Sequence, residues 1–230
     1  MQTFEEFREL SKGANLIPVV KKLIADLETP VSVLARLADD ENVFLLESVE
    51  AGERFGRYSF LGLNPRGVFT VEDGKAYFAD KDGKRELDAP EGAFMALRGL
   101  LAGVKAAQVP GLPPLFGGAV GYIGYETVGE FERLPAPKPG LEGPLTAMMI
   151  TDEMIIFDTV KHTMMLSVCV RPEEFASPRE AYDYACKRID AIAERLAQPL
   201  VIEKSTVKES PELVSNCGRD AYMNMVKTAR

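Results

Sequence analysis

The chain has 230 residues, 46% of them hydrophobic, which is enough to bury a sizeable core in one large domain or two small ones. Thirty-five acidic against 27 basic residues give a formal charge of −8, and no Lys/Arg cluster has the density of a nucleic-acid footprint, so nucleic acid is excluded as an expected partner. Cys169, Cys186 and Cys217 are odd in number and form no CxxC pair, which argues against a disulfide framework and against a zinc site.

The opening "MQTFEEFREL" is acidic and amphipathic, without the basic and apolar regions of a secretion signal. No later apolar run reaches the length of a bilayer span, so the expected location is cytoplasmic and off the membrane. Phe4, Phe7 and Leu10 fall at helical spacing, and Pro18 is read as opening a second helix that carries Val19, Leu23, Ile24 and Leu27. "TPVSVLARLADD" fits either period, and a helix starting near Pro30 suits the acidic turn that follows. From Val43 to Phe78 short apolar runs alternate with Gly, Asn-Pro and "DGK". "VFLLES", "RYSFLG", "GVFTVED" and "KAYFAD" therefore predict one antiparallel meander.

"EGAFMALRGLLAGV" sets Phe94, Leu97, Leu100 and Leu101 on one face of an amphipathic helix. Glycines 117, 118, 121 and 124 lack the spacing of a dinucleotide fingerprint and the Lys-Ser/Thr of a P-loop, so close backbone packing within a sheet is the better account of them. "TAMMITDEMIIFD" and "TMMLSVCV" read as two long strands of a hairpin joined by "TVKH". The only histidine, His162, then belongs to a turn rather than to a catalytic pair. "SPREAYDYACKRIDAIAERLA" is a long helix with Ser177 as its N-cap. The expected fold is α+β: an antiparallel meander or sandwich flanked by helices. The polar stretch 204–216 is the expected linker between a first domain, 1–203, and the start of a second at 217–230, where Tyr222, Met225, Val226 and Ala229 form an amphipathic stripe with no C-cap after it.

Residue types alone show no catalytic centre and no metal site. Glu47 and Ser48, closing the apolar run "FLLES", are the exception to a plain scaffold, since a carboxylate and a hydroxyl at a buried strand end are acceptors a pocket could use. "LLES" followed by "GRYSFLG", with "TPVSVLARL" before it and "FGGAVGYIGYETVGEFERLP" and "TDEMIIFD" after it, resembles the N-terminal part of anthranilate synthase component I, and "CGRDAYMNMVKTAR" resembles the opening of that family's chorismate-binding domain.

The resemblance implies an intact lyase that takes chorismate to anthranilate and pyruvate in tryptophan biosynthesis. It would use Mg2+ and ammonia from a glutamine amidotransferase subunit, component II. The catalytic residues and Mg2+ ligands would lie beyond residue 230, leaving none in this chain, which would be inactive alone. The resemblance also implies allosteric feedback inhibition by L-tryptophan at this N-terminal portion. Ser48 occupies the family's ligand serine position, with Glu47 beside it, Arg57 facing the carboxylate, Pro18 lining the region and Ala147 aligning loosely with another lining position. Two other readings share part of the pattern: aminodeoxychorismate synthase component I, and a stand-alone amino-acid-binding module. "GRYSFLG" and the N-terminal helical lead favour the first family.

Overall fold

The computed structural model describes residues 1–37, 41–47, 56–134, 143–201 and 214–229. The chain divides into two units, Met1–Leu200 and Val201–Arg230. The expected linker falls mostly outside the described residues.

In the first unit, helix α1 (Phe4–Leu10) starts with a reciprocal cap in which Thr3 Oγ1 accepts from Glu6 N–H and Glu6 Oε2 accepts from Thr3 N–H. Helix α2 (Pro30–Arg36) starts at the expected proline, with Thr29 and Ser32 exchanging the same pair of bonds at 3.0 Å. Between them the structure corrects the second expected helix: Ile17–Ile24 is a strand, β1, paired along its whole length with β10 (Thr163–Val170). The apolar spacing fits both periods. Alternation wins because Ile17, Val19 and Leu23 all enter the core between the sheet and its helices, and the β-branched residues suit the pleat.

Pro18 can sit in β1 because β1 is an edge strand. Val20 C=O points away from β10 and accepts from Gln2 N–H. Pro18, two residues away, therefore turns its missing N–H to the same outer side and costs the ladder no bond.

The first sheet has the order β1, β10, β9 (Glu153–Asp158), β3 (Tyr58–Leu63), β2 (Phe44–Leu46). The second has the order β6 (Gly83–Glu86), β5 (Lys75–Asp80), β4 (Gly67–Glu72), β8 (Thr146–Thr151), β7 (Gly118–Ile123). Every pairing between these strands is antiparallel.

Two further expectations are corrected here. The run from Val43 to Phe78 is not one meander, because β3 and β4 lie in different sheets, and the run from Thr146 to Asp158 is not one strand, because β8 and β9 part at Asp152. Both breaks belong to one feature. β3 pairs with β9 up to Leu63 opposite Glu153, and pairing resumes with Gly67 opposite Ile150, so three residues, 64–66, face two, 151 and 152. That extra residue is a bulge, and it bends a single two-stranded ribbon from one sheet into the other. Asn64, at φ 44°, holds the bend by donating from Nδ2 to Glu153 Oε2, while Arg66 N–H reaches Ile150 O at 2.7 Å.

Helices α1, α2 and α4 (Pro178–Leu196) cover one face of the first sheet. The buried stripe of α4, Ala181, Ala185, Ile189, Ile192 and Leu196, repeats at helical spacing. Helix α3 (Met95–Leu101) covers one face of the second sheet around Phe69, Val71 and Ile150. The glycine-rich run forms β7 and its flanks. A Cβ on Gly121 would fall inside the Ala147 carbonyl oxygen, so close strand approach explains that glycine. In the second unit, helix α5 (Arg219–Ala229) exposes Tyr222, Met223, Met225 and Val226.

Candidate ligand-binding face

The face of the first sheet opposite its helices is assembled by the two-residue period of five strands. Register sets Phe60, Ile156 and Met165 in a row, with Met154 opposite Ser167 and Val20 beyond it. Phe44, Tyr58 and Cys169 belong to the same layer, and Leu112, Leu115 and Phe116 pack on it from the loop before β7. Phe44 lies across Gly62, which has no Cβ to hold it off. Cys169 is buried and donates to Phe116 O at 3.4 Å. Burial, with the nearby Asp152 carboxylate second, pushes its thiol far above the ordinary range, so it is packing material and no nucleophile.

Arg57 immediately precedes β3 and closes its fork on Asp158, the last residue of β9. Nε meets Oδ1 at 3.0 Å and Nη2 meets Oδ2 at 2.7 Å. The guanidinium also stands 4.9 Å from the centre of the Tyr58 ring. Asp158 is 3% exposed, and its carboxyl is held below the usual carboxylate range chiefly by Arg57, with Lys161 N–H adding to the effect against the cost of burial.

The four residues singled out for a ligand are placed unequally. Glu47 is exposed and follows β2 directly. Continuing the register sets it opposite Ser59, two residues from Arg57, so these two share one end of neighbouring strands. Pro18 is buried opposite Cys169 on β1, at the other edge of the five-stranded sheet. Four strand spacings, roughly 19 Å measured along the sheet, separate those edges. Ala147 lies in the second sheet between Thr70 and Tyr122, apart from the other positions. Ser48 lies outside the described residues.

Sequence reasoning missed Asp158. Its signal was a carboxylate closing the apolar run "MIIF", but its partner is 101 residues away. Among the described residues no group of three or more His, Cys, Asp or Glu side chains could hold a metal ion. Among them, too, no helix is long and apolar enough to cross a membrane.

No family model matches the chain. Curated relatives do. Anthranilate synthase component 1 of Acetivibrio thermocellus is 31% identical over 99% of this chain and 47% of its own length. The protein of the same name from Acinetobacter calcoaceticus is 33% identical over 100% and 47%, and that of Pseudomonas putida 33% identical over 96% and 46%. A crystal structure of anthranilate synthase component I from Streptococcus pneumoniae superposes with a TM-score of 0.54 at 22% identity, over 91% of this chain and 44% of that one, which establishes a shared fold. The chain spans about half the length of the curated relatives it matches. Along its whole length, then, the chain is a relative of the anthranilate synthase component 1 proteins, with an α+β fold of two antiparallel sheets and flanking helices.

Proposed function

We propose that this chain is the tryptophan-binding, feedback-regulatory N-terminal portion of an anthranilate synthase component I. The whole-length similarity to the curated relatives, at 31–33% identity, carries this reading. In it, the intact cytoplasmic enzyme takes chorismate to anthranilate and pyruvate with ammonia delivered by a glutamine amidotransferase subunit. The catalytic groups and the Mg2+ ligands belong to the share of the relatives' length that this chain does not span.

The regulatory ligand sits at the end of β2 and β3. The tryptophan ammonium meets the acceptors of Glu47 and Ser48, and Tyr58 gives the indole an apolar neighbour. Arg57 is already closed on Asp158, so its contribution is to fix the strand end beside the ligand. A tryptophan carboxylate competes with Asp158 for it. Pro18, on the other edge strand of the same sheet, lines the region in this reading.

Two measurements test the proposal. With chorismate, Mg2+ and excess ammonium, the 230-residue chain should give no anthranilate fluorescence above a protein-free blank, and turnover would overturn the assignment of catalysis to the rest of the protein. In the full-length enzyme Ser48→Phe should abolish tryptophan inhibition while uninhibited turnover persists. Ser48→Ala, losing a hydrogen bond to a charged group worth about 1.5–3 kcal/mol, should weaken tryptophan roughly tenfold or more. Unchanged inhibition in both variants would remove Ser48 from the site.

A further inference from the structure

A cavity of about 690 Å³ opens along the outer side of β1, well within the size range of small-molecule sites. Its apolar wall is Leu10, Val20, Val109, Leu112 and Met165, drawn from α1, β1, β10 and the loop before β7. Four charged side chains line it, and they are not equivalent. Glu6 is taken up by the N–H and hydroxyl of Thr3, and Glu9 by Lys12. Lys22 and Lys161 have no carboxylate within ion-pair distance among the described residues. Asp158, the acid that acts on Lys161 through space, is closed on Arg57. The cavity is thus apolar on one side with two uncommitted ammonium groups at its rim.

Gln2 lines the same cavity. The segment carrying Gln2 is not loose, because Gln2 N–H bonds Val20 O and Gln2 O accepts from Tyr182 Oη at 2.6 Å.

We infer that this cavity is a binding site for a small amphiphilic carboxylate: an apolar body about the size of one aromatic ring lies on Val20, Leu112 and Met165, and its carboxylate meets Lys22 and Lys161. The tryptophan reading centres on the ends of β2 and β3, whereas Val20 and Lys22 stand on the other edge strand. Two exposed ammonium groups select for the anion and the wall selects for the apolar body, so neither acetate nor a neutral aromatic should suffice.

The test uses 3-phenylpropanoate as probe, its neutral amide as control, and the 230-residue chain labelled with nitrogen-15. The carboxylate should bind saturably, at least roughly fivefold better than the amide, with shifts centred on the Gln2 side-chain amide, Val20 and Leu112. Lys22→Gln with Lys161→Gln should weaken binding at least roughly tenfold, since both charge-assisted contacts are lost, and leave the melting temperature unchanged because both side chains are exposed. Absence of saturable binding, equal binding of the amide, or an unaffected double variant would overturn the inference. Shifts centred on Glu47 and Arg57 would do so too, and would assign the probe to the other strand end. Tryptophan titrated in parallel is read at Glu47, so either site can fail without the other.

Discussion

Replacing Asp158 with Asn removes the charge from the Arg57 pair while keeping its shape. The carboxylate side chain is 4% exposed and the guanidinium 29%, so the pair is largely shielded from water and salt. Breaking a fully buried pair from one side costs about 3–5 kcal/mol, and the partial exposure of Arg57 brings the expected loss to about 2–3 kcal/mol. For a body of this size that is a fall in melting temperature of about 4–12 °C.

The pH dependence gives the sharper test. Asp158 titrates lower when folded than when unfolded, so its stabilisation is complete above about pH 4, the unfolded carboxylate value, and is lost as pH falls through the lower folded value. The stability gap between the two proteins, from urea melts, should be widest at pH 7 and shrink progressively as the pH falls below about 4, because the natural side chain becomes neutral too once the lower folded value is passed. Arg57→Gln should cost at least as much, since it strands a buried carboxylate, and the double variant should lose less than the sum of the singles. A gap under 0.5 kcal/mol at pH 7, or one that does not close in acid, would refute the claim that this pair holds the end of β3 against β9.

Gly121→Ala should lower stability by more than the roughly 1–3 kcal/mol of ordinary overpacking, because its Cβ meets backbone rather than a movable side chain, whereas Gly99→Ala, in α3 with nothing within 4 Å, should be neutral or add about 0.5–1 kcal/mol; thermal melts of the two compare them directly. Ser177→Ala removes the hydroxyl that accepts from Glu180 N–H at the start of α4 and should cost about 1 kcal/mol by urea titration. Ile189→Ala, fully buried beneath α4, should cost about 2–5 kcal/mol by the same titration.

The elements that could be read in advance are those whose local signals all agree. The β9–β10 hairpin has two long apolar runs with a four-residue turn between them, and His162 at φ 49° is the turn residue that pattern implies. Helix α4 has a cap, an acidic first turn and a single buried stripe. The failures have a common cause: information that resides in pairing rather than in the segment. Val19 and Leu23 are four apart and so satisfy a helix, and only β10 lying alongside turns them into alternate residues of a strand. Neither "RYSFLGLNPRGVFTVE" nor "TAMMITDEMIIFD" shows by itself that it changes sheet, because a bulge is a mismatch between two segments, here three residues against two.

The same distinction governs the candidate sites. Glu47 could be singled out because a carboxylate at an apolar strand end is locally anomalous, and Arg57 because it belongs to a contiguous motif. That Arg57 is spent on Asp158, and that Pro18 stands at the opposite edge from Glu47, depend on strand order, which no segment encodes alone. Lys22, Lys161 and Gln2 are ordinary surface residue types in sequence, and become a set only because α1, β1 and the β9–β10 turn converge. The bent ribbon connects these facts. By carrying β3 and β9 together out of the first sheet at Asp152, it leaves β2 and β1 as the two edges, and so keeps the strand end at Glu47 and the cavity at Lys22 on opposite sides of one rigid layer.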